Sequence, residues 1–310
     1  MTPEMRKDSQ ILLKKGTLWQ DIVRTTERAI RSGALLPIPT DYEFVEDSGI
    51  RFFVRILSSL KRKEEARRKM EEASVSGKSE NPFLPYDGNL FVSDVSESHI
   101  ALLNKFNVVE HHLLIVTRHF EDQEALLTIE DFEALWACMA EYSGLGFYNG
   151  GGAAGASQRH KHLQMVPLPL APEGPEVPIE PLLAEAKFPS GPGIIHGFPF
   201  LHFFSWLPDD IISSTYAAAR KTFKLYSIML REAGLNTPDA EILKKQSAPY
   251  CLLLTRHWML IIPRAREFFD SISINSLGFA GALLVHNKEQ IELLKKHGLM
   301  FALKTVALPR

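Results

Sequence analysis

His160, His162 and Gln164 stand two apart near the middle of this 310-residue chain. Residues at that spacing share one face of a β-strand, with Lys161, Leu163 and Met165 on the other face. Two imidazoles and an amide are costly to bury without partners, so their face is expected to line a cleft. The preceding run, Asn149-Gly-Gly-Gly-Ala-Ala-Gly-Ala-Ser-Gln158, carries almost no side chains before Ser157. Its backbone N–H groups are placed to approach an anion closely. A glycine cradle leading into a histidine strand points to chemistry at phosphorus.

Three readings of the histidines stand side by side. As a metal site, His-x-His supplies two ligands and Gln164 is a poor third. As structure, the pair satisfies its own hydrogen bonds in the core. As catalyst, a neutral imidazole attacks phosphorus and forms a phosphoramidate, dividing one hard transfer into two easier ones. The strand fixes the nitrogen and the glycine loop presents the phosphate to it, which favours the third reading.

The remaining chain must position these groups. Leu18–Ser32 has helical apolar spacing with Gly33 as its stop, and Phe44–Val45 and Arg51–Leu57 read as two strands. Three strand candidates follow at Leu90–Val95, Ile100–Val109 and His112–Thr117, an antiparallel meander by their close spacing. Asn104 and Lys105 fall within the second, and His111 and His112 read as surface or capping groups at a turn. Thr128–Tyr142 reads as a helix with Thr128 as N-cap. The histidine strand and these elements make an α+β unit, an antiparallel sheet with flanking helices, elaborated by N- and C-terminal segments. Residues 171–197, rich in Pro and Gly, read as a linker or flap between residues 1–170 and 198–310. In the last part, Phe198–Leu207 with a core-like His202, a helix over Ser213–Ala233, and a hairpin of Tyr250–Thr255 and Trp258–Ile262 are expected. Arg264 and Arg266 follow, as arginines suited to phosphates.

Composition sets outer limits. Hydrophobic residues make up 45% and charged residues 23%, enough apolar material for a substantial core. A net charge of −2 argues against nucleic acid or membrane recruited by bulk charge. Cys138 and Cys251 lack metal or redox spacing, which fits a reducing cytoplasm. No run reaches the ~18 apolar residues of a spanning helix, and no signal-peptide core stands at the start.

Asn149, Gly155, Ser157, His160, His162 and Gln164 resemble the signature of the histidine-triad superfamily in its His-x-His-x-Gln transferase branch. Over nearly its whole length the chain is similar to the ATP adenylyltransferase, or diadenosine tetraphosphate phosphorylase, family. Matching pieces are Asn81–Tyr86, Leu102–Val108, His112–Thr117, Phe147–Asn149, His160–Gln164, Leu252–Thr255 with Pro263-Arg264, and Asn275–Gly278. The resemblance implies a histidine-triad-like fold and the phosphorolysis of diadenosine tetraphosphate to ATP and ADP through an adenylyl-histidine. It implies His162 as nucleophile, His160 as its orienting neighbour and Gln164 as donor to the phosphoryl oxygen. It also implies substrate contacts from Lys63, Asn104, Lys105, Asn149, Gly155, Ala156, Ser157, Gln158, Asn275, Ser276 and Leu277.

The chain departs from the family at three places. Glu64 follows Lys63 where the family has Pro, and Ala282 and His286 stand where it usually has Met and Lys. Neutral His286 lacks the permanent phosphate charge of that lysine. No metal cage or built-in cofactor is expected, and any Mg²⁺ arrives with the substrate's phosphates. The partners implied are small molecules, namely dinucleoside polyphosphate, ATP, ADP and orthophosphate, with no nucleic acid, no membrane and the oligomeric state open. Two rivals remain: a hexose-1-phosphate uridylyltransferase-like enzyme, which typically has Pro between the histidines, and a dinucleotide sensor without turnover.

Overall fold

The computed structural model describes residues 10–57, 81–186, 192–235 and 244–310. Lys63 lies outside the described residues. Helix α1 (Leu18–Ser32) buries Leu18, Ile22 and Ala29 along one stripe and ends at Gly33, whose φ of 74° lets its N–H cap Ala29 and Ile30. Strands β1 (Thr40–Asp47) and β2 (Ile50–Leu57) form a hairpin. Then come β3 (Phe91–Asp94), β4 (His99–Leu103), β5 (Leu113–Thr117), α2 (Ile129–Met139), β6 (Gly144–Gly150) and β7 (His162–Pro167). The second half holds α3 (Glu180–Leu183), β8 (Phe203–Trp206), α4 (Thr215–Glu232), β9 (Tyr250–Leu254) and β10 (Trp258–Pro263). The chain closes with β11 (Phe268–Phe269), β12 (Ile272–Ser273), α5 (Ser276–Phe279), β13 (Ala282–Val285), α6 (Lys288–His297) and α7 (Leu299–Val306).

Eight strands form one sheet in the order β3-β4-β5-β7-β6-β9-β10-β8. Every pairing in it is antiparallel. The expected α+β class with an antiparallel sheet and flanking helices is what the structure shows. The β6–β9 pairing, from Gly146↔Leu254 to Gly150↔Tyr250, carries the sheet from the first half of the chain into the second. A separate sheet, β1-β2-β13, joins the two ends of the chain, with β13 parallel to β2.

Alternation along the strands sorts side chains onto two faces of the large sheet. On one face Leu113, Ile115, Leu163, Met165, Leu252 and Leu254 pack under α1, α2 and α4. On the other, Leu145, Phe147, Val166, Cys251 and Leu253 pack against the small sheet and the C-terminal helices. A third, smaller cluster places Phe83 over Ile100, Leu102, Leu114 and Val116. The crossing read as a linker or flap contributes buried Val177, Ile179, Leu183 and Ile195 to the second cluster.

Local signals and outcomes agree for α2, where Thr128 and Asp131 close a capping box. They diverge after β4. The strand stops at Leu103, and Asn104 and Lys105 turn rather than sit mid-strand. The Asn104 carboxamide accepts the N–H of Phe106, which closes a local turn in place of a ladder bond. Likewise β8 starts at Phe203, leaving His202 before it. That histidine is core, as expected: it accepts the Ile195 N–H and donates to the Phe200 carbonyl. Among the described residues no helix is long and apolar enough to cross a membrane.

Candidate active site

His162 and Gln164 project from β7 onto the face between the Phe83 cluster and the small sheet. Gln164 lies opposite Leu114 on one side and Phe147 on the other, and His162 lies opposite Val116. Lys161, Leu163 and Met165 point to the helix-covered face, as the alternation predicts. Leu163 and Met165 join that core. The buried Lys161 ammonium sits 2.6 Å from Asp131 and 3.0 Å from Glu121, so the strand is anchored from behind by charge.

The proton arrangement of His162 follows from its partners. Its Nδ1 lies 2.8 Å from the His160 carbonyl. A carbonyl only accepts, so Nδ1 carries the proton and Nε2 keeps its lone pair. Burial pushes His162 down to about 4, against the opposing pull of that carbonyl, so the ring is neutral near pH 7. The Phe83 ring, 5.4 Å away centroid to centroid, covers the imidazole.

His160 is held at both ring nitrogens. Its Nε2 donates to the Thr117 carbonyl at 2.8 Å, so Nδ1 is the acceptor and takes the Asn81 amide at 2.8 Å. The Asn81 oxygen is committed to the Phe83 N–H. Burial lowers the His160 pKa as well. With both nitrogens committed to protein partners, His160 is fixed as a neutral tautomer that presents its carbonyl to His162.

A second relay, built the same way, ends on Gln164. The Phe106 N–H can only donate, which assigns its Asn104 partner atom as oxygen. The Asn104 amide nitrogen therefore faces His112 Nδ1 at 3.2 Å, and His112 Nε2–H donates to Gln164 Oε1 at 3.0 Å. The outcome is a Gln164 side chain whose NH₂ is turned away from His112 and donates to no described residue. His112 is thus buried and bonded to Gln164 rather than the surface or capping group expected, with burial pushing it down to about 4. A His-His pair beside a turn carries no signal of a partner 52 residues away. Burial of an apolar β5 facing β7 decides it.

Gln123 was not anticipated either. β6 and β7 stop pairing at Phe147↔Gln164. Beyond that point the buried Gln123 amide continues the ladder, accepting the His162 N–H at 2.9 Å and donating to the Asn149 carbonyl at 3.0 Å. The two strands splay around it, and the glycine loop begins at the opening.

Across the cleft, Asn149 Oδ1 accepts both the N–H and the hydroxyl of Ser276, at 3.0 and 2.6 Å. Asn275 caps α5 through the Leu277 N–H. Gly155, at φ 90°, lies so close that a Cβ there would stand 2.8 Å from the Asn275 Cβ. In the loop itself, the Gly155 and Ala156 N–H groups are taken by the Gly152 and Gly151 carbonyls. Those of Ser157 and Gln158 donate to no described residue. Of the four loop residues expected to hold phosphate, Ser157 and Gln158 are thus the two whose N–H groups have no acceptor among the described residues. Arg264, expected to face phosphates, is instead fully buried behind the loop. Among the described residues no three His, Cys, Asp or Glu side chains gather to hold a metal ion.

Two family models together match most of the chain. The Ap4A phosphorylase N-terminal domain matches residues 8–185, and the ATP adenylyltransferase C-terminal domain matches residues 196–309. The chain belongs to the Ap4A phosphorylase family. It is 29% identical over 245 residues to diadenosine 5',5'''-P1,P4-tetraphosphate phosphorylase 2 of Saccharomyces cerevisiae, covering 69% of this chain and 71% of that one. Its fold matches the crystal structure of yeast Ap4A phosphorylase Apa2 in complex with AMP, with TM-score 0.76, 25% identity and coverage of 96% and 98% of the two chains. It also matches the Apa2 structure in complex with Ap4A, with TM-score 0.75, 24% identity and coverage of 96% and 99%.

Within this family fold, the residues named from the sequence divide into groups. His160, His162, Gln164, Asn149, Gly155, Asn275 and Ser276 come together around the splayed end of β6 and β7. Asn104 reaches that group through His112, while the Lys105 side chain is exposed and 5.6 Å from the Phe106 ring. Ala282 opens β13 opposite Phe53, on the small sheet. The exposed His286 follows that strand, with its N–H on the Gln290 side chain at 2.7 Å.

Proposed function

We propose that this chain carries out the nucleotidyl transfer of its family, the reversible phosphorolysis of diadenosine tetraphosphate to ATP and ADP. The observation that carries this reading is the tautomer lock on His162, which leaves a neutral ring whose Nε2 lone pair meets no donor among the described residues. Nε2 attacks the α-phosphorus, a P–N bond forms, and the bond to the departing ATP oxygen breaks. The ring becomes cationic, and the Nδ1–H to His160 carbonyl bond strengthens as that charge develops. Orthophosphate then attacks the same phosphorus, the P–N bond breaks, and ADP leaves with His162 neutral again. Neither half-reaction needs a proton from Gln164. Its oriented NH₂ donates to a nonbridging oxygen, where charge builds in the transition state.

The N–H groups of Ser157 and Gln158 hold phosphate, and Asn149 with Asn275, Ser276 and Leu277 fixes the nucleotide beside it. Lys63 and Lys105 neutralise the polyphosphate, and any Mg²⁺ enters with it. Cys138 and Cys251 are both free and buried, in keeping with a cytoplasmic enzyme. Brief incubation with diadenosine tetraphosphate in phosphate-free buffer, followed by intact-protein mass measurement, tests the reading. An acid-labile adenylyl adduct that disappears on adding phosphate is expected, and none with His162→Ala. Bound nucleotide without any adduct in the parent protein would make this chain a sensor.

A further inference from the structure

Behind the glycine loop lies a charge that the reaction scheme leaves unused. The Arg264 guanidinium is 1% exposed, and among the described residues no carboxylate pairs with it. All five of its N–H groups find acceptors instead. Nε donates to the Val306 carbonyl at 3.1 Å. Nη1 reaches the Ala154 carbonyl at 3.3 Å and the Cys251 sulfur at 3.1 Å. Nη2 donates to the carbonyls of Arg266 at 2.8 Å and Ile274 at 2.7 Å. The Phe279 ring lies 5.0 Å away, beneath the cation.

These acceptors belong to separate parts of the site. Ala154 ends the first turn of the glycine loop, and Gly155 follows it. Ile274 precedes Asn275 and Ser276, and Cys251 lies opposite Asn149 in the β6–β9 register. Val306 ends α7. A planar fork with five fixed donors holds four chain segments at set separations, which a lysine ammonium with three donors cannot reproduce. The contact of Gly155 with Asn275 shows how little slack there is, since even a methyl group there would collide.

We infer that Arg264 is a positioning residue for nucleotide binding, bracing the glycine loop against the Asn275–Leu277 turn from inside the core. It touches neither His162 nor the groups that lock it. The inference rests on the proposed site, and its effect falls on binding rather than on the attack at phosphorus.

The test is Arg264→Lys, which keeps the charge and loses the fork. Adenylyl-adduct formation is followed against diadenosine tetraphosphate concentration. The half-saturating concentration is expected to rise on the order of tenfold, while the maximal rate per folded molecule stays within about threefold. A merely structural role would reduce the folded fraction and leave half-saturation unchanged, and that result overturns the inference. So does an equal loss of maximal rate. The unmodified protein supplies a measurement independent of any variant. Adding AMP should slow amide exchange in residues 152–157 and 274–278 together, and protection of one stretch alone overturns the coupling. Absence of any adduct in the parent protein would sink the proposed reaction instead, a separate result.

Discussion

Replacing Lys161 with Met tests how the histidine strand is held from behind. The ammonium is fully buried, 2.6 Å from Asp131, 3.0 Å from Glu121, and 3.2 Å from the Leu126 carbonyl. Glu121 is 46% exposed, so it regains water in the variant and its lost pair contributes little. Asp131 cannot, being 1% exposed. Among the described residues it keeps only His99 at 2.9 Å and the Thr128 N–H at 2.6 Å. Stranding a buried carboxylate in this way costs about 3–5 kcal/mol. Asp131→Asn removes the ammonium's buried counter-charge and leaves it the half-exposed Glu121 and the Leu126 carbonyl, whereas Lys161→Met with Asp131→Asn removes both buried charges. The double variant should therefore be more stable than the sum of single losses predicts, by about 2 kcal/mol or more.

The pH dependence has a definite sign. Burial alone would raise the Asp131 pKa, but Lys161 and His99 outweigh it and hold it well below the usual carboxylate range. In the parent, that contribution is present above the unfolded value of about 3.9 and is lost only as pH falls through the lower folded value. Without Lys161, burial dominates and the carboxyl prefers its proton. The stability gap between variant and parent should thus narrow from pH 8 to pH 5.5. Urea denaturation of the four proteins at both values measures it. The maximal rate per folded molecule should change by less than about threefold, because the bonds locking His162 are made by backbone and Gln123. A loss below about 1 kcal/mol, or strict additivity, would refute the argument.

Two further outcomes follow from the site. With His162 pushed down to about 4, about 97% of the ring is neutral at pH 5.5, against roughly a tenth for a ring titrating at its ordinary value. Adduct formation should hardly slow between pH 7.5 and pH 5.5 in single-turnover measurements, and a midpoint near 6.5 would contradict the buried tautomer. His112→Phe removes the donor that orients Gln164, and steady-state kinetics should show kcat lowered on the order of 10- to 100-fold with KM nearly unchanged. An unchanged kcat would mean the Gln164 amide needs no such guide.

What the chain itself determined is largely local. Alternation in His160–Met165 assigns each side chain to a face whatever the strand's neighbours are, because the period of two is a property of extended backbone. Thr128 with Asp131 specifies the start of α2 through a capping box closed within four residues. Gly33 ends α1 for a similarly local reason, a left-handed φ that glycine adopts freely. The His-x-His-x-Gln spacing and the ordered motifs around it were enough to point to the family and its chemistry.

Tertiary structure decided which of these groups meet. β7 lies between β5 and β6, and β6 in turn pairs with β9, an order that no periodicity encodes. That order puts His112 against Gln164, inserts Gln123 between Asn149 and His162, and sets Ser276 on Asn149. It also turns Lys161 into a buried anchor and Arg264 into a brace, where sequence placed the first only by its face and offered the second to phosphates. In each case a polar group leaves water only because a specific partner, distant along the chain, satisfies it. Local pattern chooses the face, and long-range register supplies the partner.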